Sequence, residues 1–333
     1  MKKFLAHSIA GAIAMAMGTS VLSAQAAELK VTGCFVKNHD YMVSYFSNFH
    51  DPINGAKKSL TLKYIGGPEV TPIQKQAPAL QRGLVDIIFC PGAYYGGLIS
   101  EARLVGVHNK SLDEMRKNGA WDMLQEAWGK KLNARILSWH FFGGQKFYIY
   151  TTFEPKLSEK TGLDLKGVKM RTTGLYKALL QAMGATTVFM SPGDVYTGLE
   201  RGVVGGLAWP WGSVTVYGWE KFLKYRIKPD FYGASMLMLV NLDKFKAMTK
   251  AERDFLQERA AAFEKKGSEL MVKKGVLDDE KLKKAGVKDI VLTGKVADAY
   301  LKTIYGAKWT ENDSLKYSVD YKKLKPLMYS TAK

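Results

Sequence analysis

The chain has little cysteine, no arginine-rich block and, beyond its first residues, no long apolar run. Two cysteines in 333 residues, Cys34 and Cys90, are too few for a disulfide-stapled miniprotein or a cysteine-rich zinc module. No segment after residue 26 approaches 18 consecutive apolar residues, so no transmembrane helix is expected there. The chain lacks a G-x-S-x-G elbow, a Walker P-loop, an H-E-x-x-H pair and a C-x-x-C pair, and no G-x-G-x-x-G follows the first strand. Past residue 26 the histidines are His39, His50, His108 and His140, none spaced from another like a metal pair. No cofactor is implied. Of the enzyme readings, only a nucleophilic triad assembled in space stays open. Internal repeats, low-complexity segments and Pro/Gly/Ser linkers are missing too.

What is present is a globular composition, 47% apolar and 24% charged, with a net charge of +18. Such a charge suits nucleic acid, an anionic membrane surface or an anionic small ligand. The first 26 residues narrow the choice. Lys2 and Lys3 precede an apolar stretch from Ile9 to about Leu22, and Ala24-Gln25-Ala26 is a small-x-small cleavage site. This pattern reads as a secretory signal peptide cut after Ala26, with the periplasm as destination. An uncleaved anchor is disfavoured because the run is short and studded with small residues. Cleavage would lower the charge to +16 over 307 residues, spread as +9 over residues 27–240 and +7 over 241–333. A dispersed charge in that compartment argues against nucleic acid. The two cysteines then sit in an oxidising space, each ending an expected strand. They either form a bridge closing a loop of about 56 residues, worth roughly 4 kcal/mol, or remain two buried thiols.

The pattern predicts alternating strands and helices, an α/β fold with a parallel doubly wound core. Strands are expected at Leu29–Phe35, Leu60–Ile65 and Val85–Cys90, with helices over Asp40–Phe49 and Pro72–Arg82 between them. Further strands fall at 134–138, 147–152, 168–172, 186–189 and 234–241, and helices at 176–183 and 194–201. Thr249-Lys250-Ala251-Glu252 is a capping box opening a helix to about Lys284. Leu256, Phe263, Leu270 and Leu277 suggest a heptad seam, with Gly267 and Gly275 as points of bending. At 1.5 Å per residue that helix reaches roughly 50 Å, long enough to lie across two lobes. The run Asp278-Asp279-Glu280 reads as a solvated face rather than a metal site.

Three stretches are candidates for ligand contact. Arg171 stands near the C-terminal end of an expected strand, where α/β sheets place ligands. A guanidinium there can grip a carboxylate through two parallel hydrogen bonds, unless it is an exposed arginine in a surface ion pair. Gly205-Gly206-Leu207-Ala208-Trp209-Pro210-Trp211-Gly212 looks like a loop, on which Trp209 either floors a pocket or packs a lobe interface. The aromatic stretch Trp139, Phe141, Phe142, Phe147, Tyr148, Tyr150 and Phe153 reads as core and crossover packing, with Lys146 among it able to face a cleft.

Several segments together resemble one family. Gly66-Gly67-Pro68-Glu69 precedes a helix ending in Arg82-Gly83-Leu84-Val85-Asp86-Ile87, Leu165–Arg171 follows, and Met190-Ser191-Pro192-Gly193-Asp194 leads on to Gly205-Gly206. These look like the DctP-type solute-binding proteins of TRAP (tripartite ATP-independent periplasmic) transporters, and the likeness covers nearly all of the chain after residue 26. The resemblance implies a two-lobed periplasmic binding protein, each lobe a sheet flanked by helices. It places lobe I over residues 27–148 with about 239–275 returning to it, and lobe II over 149–238 with about 285–333 packing on it. The helix over 250–284 would join them. It implies capture by lobe closure and delivery to membrane permease subunits, by a protein that is no enzyme and more a monomer than a dimer.

By the same resemblance Arg171 pairs with the substrate carboxylate. Glu69 and the loop Asn38–Tyr41, with His39, fall where the family often contacts ligand, and Tyr94 completes the candidate set. Three departures stand out. Gly205 replaces the usual Asp of a Val-Asp-Gly motif, Trp209 replaces a ligand-binding Asn of many members, and Lys146 falls near a second arginine of sialic-acid-binding members. The expected ligand is therefore a small organic carboxylate with a flat or apolar body, an aromatic or 2-oxo acid, with sugar acids still open. The rivals are a secreted enzyme with a spatial triad, and a binding or sensor module of another uptake system.

Overall fold

A computed structural model describes residues 27–140 and 146–330. The expected signal peptide, Phe141 and Phe142 lie outside the described residues. Four strands open the fold, β1 (Ala27–Gly33), β2 (Leu60–Gly66), β3 (Ile87–Pro91) and β4 (Ala134–His140). Next come β5 (Phe147–Thr151), the short pair β6 (Lys156–Ser158) and β7 (Gly162–Asp164), β8 (Lys169–Thr172), β9 (Thr186–Phe189), β10 (Gly206–Pro210) and β11 (Tyr225–Phe231). The last are β12 (Met236–Asn241) and β13 (Lys288–Val291).

These strands form two main sheets, one ordered β2-β1-β3-β12-β4 and the other β13-β11-β5-β10-β8-β9. In the first, β1 runs parallel to β2 and β3, as the β-α-β-α-β pattern predicts, while β12 inserts antiparallel between β3 and β4. All six residues of β12, Met-Leu-Met-Leu-Val-Asn, are buried. A continuous apolar run of this kind suits a central strand covered on both faces. The second sheet is mixed as well, with β5 antiparallel to both β10 and β11. The chain therefore passes between the sheets after β4 and again at Gly233–Ser235, between β11 and β12.

The helix Lys250–Lys284 begins at the expected capping box: Glu252 N–H donates to Thr249 Oγ1 at 3.3 Å, and Thr249 N–H donates to Glu252 Oε2 at 2.8 Å. It runs unbroken through both glycines. Its buried face differs from the heptad expectation. Leu277 is 51% exposed, and the covered residues include Leu256, Ala260, Phe263, Gly267, Met271, Gly275, Asp278 and Leu282. Their spacing of three and four follows the straight-helix period of 3.6 rather than a supercoiled 3.5. Gly275 sits on this seam because a Cβ there would come within 2.6 Å of the Trp211 indole.

Two of the three acidic residues depart from a solvated face; Glu280 alone is exposed. Asp278 is 3% exposed and accepts from Thr215 N–H at 3.0 Å, Val214 N–H at 3.3 Å and the Thr215 hydroxyl at 2.5 Å. Asp279 pairs with Arg226, which also makes two bonds to Asp289. These two charges are thus spent on a turn and on a buried guanidinium. Toward the C-terminus, helix Gly294–Asp313 packs on the second-sheet side and helix Tyr321–Met328 packs beside the first-sheet helix Ala120–Leu132.

Cys34 and Cys90 are disulfide-bonded, with Cα atoms 5.0 Å apart. The parallel register sets Gly33 opposite Phe89, so the next residue of each strand meets the other. That separation lies within the ordinary disulfide range.

Candidate functional site

Between the two sheets lies a small closed cavity. Phe35, Tyr41, Pro91, Ala93, Tyr94 and Met236 line it from the first sheet's side, and Phe147, Arg171, Thr173, Tyr176 and Trp209 from the second. The crossover residues Gly233, Ala234 and Ser235 close one side. About 50 Å³ is open to the centre of a water-sized sphere. One water needs about 10–15 Å³ by that measure, so the space suits one small molecule. Past Ala93, Tyr94 and Thr173 a wider cleft of about 660 Å³, also bordered by Arg103 and Lys177, shares those three residues with the cavity.

Arg171 is the third residue of β8, held between Leu207 of β10 and Val188 of β9. It is fully buried, not an exposed strand-end arginine. Its Nε–H and an Nη2–H both donate to the Met190 carbonyl, at 3.0 and 2.8 Å, and an Nη1–H donates to the Tyr176 hydroxyl. The remaining two of its five N–H groups have only Tyr94 and the cavity to face. No carboxylate among the described residues pairs with Arg171. Below the guanidinium lies the Trp209 ring, 5.2 Å from its centre. A buried cation without a counter-ion is costly unless something anionic completes the site.

The tyrosines around it are kept protonated. Burial pushes the Tyr176 phenol up to about 12, although the nearby Arg171 charge pulls it back. Burial likewise raises Tyr94, against the opposing charge and hydrogen bond of Arg171, and raises Tyr41 and Tyr217 further. At neutral pH these groups are hydrogen-bonding hydroxyls, and the cavity keeps its single positive charge.

Trp209 does not sit on a loop. It belongs to β10, between β5 and β8, and is 4% exposed. The glycines before it serve close approach rather than a turn: a Cβ on Gly206 would lie 2.4 Å from the Tyr150 carbonyl. The Trp209 indole N–H donates to Ser213 Oγ at 3.0 Å, and its ring meets Trp219 edge-on at 4.7 Å. It forms a fixed wall of the cavity.

Of the residues singled out in the sequence, Arg171, Trp209 and Tyr94 come together here. Tyr41, the last residue of the candidate loop Asn38–Tyr41, and Phe147 of the aromatic stretch line the cavity as well, while His39, Asn38, Glu69 and Lys146 are not among its lining residues. His39 is buried one layer behind it: its Nδ1 accepts from Tyr41 N–H at 3.1 Å and its ring stacks on Phe35 at 4.3 Å. Burial holds its pKa near 3, so the ring is neutral and positions two lining residues. Asn38 is exposed beside a polar groove where Asp40 and Lys274 pair at 3.1 Å. Glu69 is exposed and accepts from Gly67 N–H at 2.6 Å, a local turn contact. The Lys146 carbonyl accepts from Trp211 N–H at 2.8 Å, and its charge acts on His108.

Sequence reasoning missed Tyr176, Thr173 and Ser235. For Tyr176 a signal existed, an aromatic five residues past the strand-end arginine at the start of a helix. Ser235 offered none. Among the described residues no three His, Cys, Asp or Glu side chains gather as a metal site, and no helix is long and apolar enough to cross a membrane.

Comparison with known proteins agrees with this architecture. Residues 57–304 match the model of the DctP family, described as bacterial extracellular solute-binding protein, family 7. An extracytoplasmic solute receptor from Bordetella pertussis, solved binding pyroglutamic acid, is 17% identical with a TM-score of 0.77, over 91% of this chain and 99% of that one. A TRAP periplasmic solute-binding protein from Desulfovibrio salexigens, with bound orotic acid, is 14% identical with a TM-score of 0.74, over 86% and 92%. One from Ralstonia eutropha H16, with bound (S)-2-acetolactate, is 18% identical with a TM-score of 0.72, over 86% and 94%.

Proposed function

The chain belongs to bacterial extracellular solute-binding protein family 7, the DctP type of TRAP transporters, and from that premise we propose that it captures a small organic monocarboxylate in the cavity around Arg171. It is a solute-binding protein, not an enzyme. The observation that carries the ligand class is the fully buried Arg171 guanidinium with no carboxylate partner among the described residues. An anion in the cavity supplies the missing charge, and its pair with Arg171 is strengthened by the low dielectric of the closed site. Trp209, Phe147 and Phe35 then select a compact, flat or apolar body.

The cavity suits a compact acid, and the wider cleft beside it leaves a sugar acid as the second reading, since related structures also hold glucuronate and 3-deoxy-D-manno-oct-2-ulosonic acid. Pyroglutamate, orotate and acetolactate in the three related structures are all small carboxylates. Capture proceeds by closure of two lobes built on the two sheets. Lobe I comprises residues 27–148 with the return around 239–275, lobe II comprises 149–238 with later segments, and the helix Lys250–Lys284 spans both. The mature protein works in the periplasm after loss of residues 1–26. It delivers its ligand as a monomer to the TRAP permease in the membrane.

The test is titration calorimetry across a panel of small carboxylates, with wild type and Arg171→Ala. Truncating one member of a buried charge pair costs about 2–5 kcal/mol, so the best ligand should bind Arg171→Ala about a hundredfold more weakly or worse. Equal affinity in the two proteins refutes the assignment.

A further inference from the structure

The polar atoms around the cavity are almost all spoken for. Tyr176 is engaged by Arg171, the Trp209 indole by Ser213, and Thr173 Oγ1 accepts from Leu175 N–H at 3.4 Å. Ser235 differs. Its hydroxyl is buried, lines the cavity and has no hydrogen-bond partner. It sits on the crossover between β11 and β12, one residue before Met236, which pairs with Pro91 and His140. That placement is set by the sheet rather than by a mobile loop.

A buried hydroxyl without a partner is destabilising, and native proteins leave few such groups without a reason. A hydroxyl both donates and accepts, so a ligand oxygen of either kind can satisfy it. We propose that Ser235 is the specificity-determining second contact of this site, and that the ligand is a small carboxylate bearing one further oxygen, an oxo, hydroxyl or ring-carbonyl group, directed at Ser235. The assignment rests on the Arg171 reading, because the carboxylate end must be anchored there for the second oxygen to be presented. Arg171 provides the grip common to any small acid. Ser235 separates oxygenated acids from their deoxy counterparts. Rejection of an acid lacking that oxygen follows from the same physics, since its CH₂ leaves the serine hydroxyl dry and unbonded.

Matched ligand pairs test this: 2-oxobutanoate against butanoate, and 3-oxocyclopentanecarboxylate against cyclopentanecarboxylate, titrated into wild type, Ser235→Ala and Ser235→Cys. Wild type should prefer the oxygenated member of at least one pair by about tenfold, in line with one net hydrogen bond. Ser235→Ala should lose that preference, through weaker binding of the oxygenated acid and unchanged binding of its partner. Ser235→Cys, close in size but a weak hydrogen-bonding group, should behave like Ser235→Ala. A purely structural serine would weaken both members alike, and that result overturns the proposal, as does a preference that survives in Ser235→Ala. If wild type binds the two members equally in both pairs, the Ser235 assignment falls and the Arg171 reading stands. If wild type binds none of the four acids, both fall.

Discussion

Three histidines make stability fall steeply with mild acid. His39, His108 and His140 are all buried, and burial lowers each from 6.5 to about 3. In the unfolded chain each takes up a proton near 6.5, while in the folded protein each stays neutral. The unfolded state therefore binds more protons below pH 6.5, and stability is lost as pH falls through the interval from 6.5 to about 3. At pH 5.5, one unit below the unfolded value, each histidine costs about 1.4 kcal/mol relative to pH 7.5. Three together cost about 4 kcal/mol. Two buried carboxyls work in the opposite sense: desolvation raises Glu264 and Asp278, which favours their protonation in the folded state. They trim that loss, which is to be set against a total stability of about 5–15 kcal/mol. Urea denaturation at pH 7.5, 6.5 and 5.5 measures it directly. His39→Asn, whose side-chain oxygen can still accept from Tyr41 N–H, should remove about one third of the slope. A stability that is flat between pH 7.5 and 5.5 refutes the reasoning, and so does an undiminished slope in His39→Asn.

Two further outcomes follow from the same packing. Asp278→Ala removes the acceptor for Thr215 and Val214, leaving their donors unpaired; a loss of about 2–4 kcal/mol is expected, read as a fall in Tm of about 3–6 °C, with Asp278→Asn intermediate. An unchanged Tm in Asp278→Ala would show that the turn at 213–217 holds itself. Reduction of Cys34–Cys90 frees a loop spanning 56 residues, worth about 4 kcal/mol in the chain-entropy account, so dithiothreitol should lower Tm by roughly 6 °C. Identical melting with and without reductant would refute that loop-entropy contribution.

The parts legible in the sequence were those written in local patterns. Alternation set β2, the capping box at Thr249 set the start of the long helix to the residue, and the strand-end position of Arg171 needed only its neighbours. The misread parts depend on what another segment presents. Gly205-Gly206 and Pro210 look like loop residues until β5 is laid beside them, when Gly206 proves to be room for the Tyr150 carbonyl. Leu277 fits a heptad, yet faces solvent, because the helix is straight and Trp211 needs the glycine at 275 instead. Asp278 looks like solvated charge because an acidic run carries no mark of the two amides waiting for it at 214 and 215.

The site divides along the same line, for a physical reason. Arg171 could be found in the sequence because a long cation at a strand end is conspicuous wherever it occurs. Its significance, though, comes from an absence that only packing creates: the nearest oxygens are Met190's carbonyl and phenols, and none is anionic. Ser235 is the stronger case. A serine before an apolar strand is unremarked in any sequence, and it gains meaning only when the fold buries its hydroxyl against the cavity without a hydrogen-bond partner. What recognises a ligand in a closed cavity is the set of hydrogen-bonding and charge requirements left unmet by the protein itself. A sequence names the groups that have such requirements. Only the fold decides which of them go unmet, and here it leaves one cation and one hydroxyl, the two ends of a small oxygenated acid.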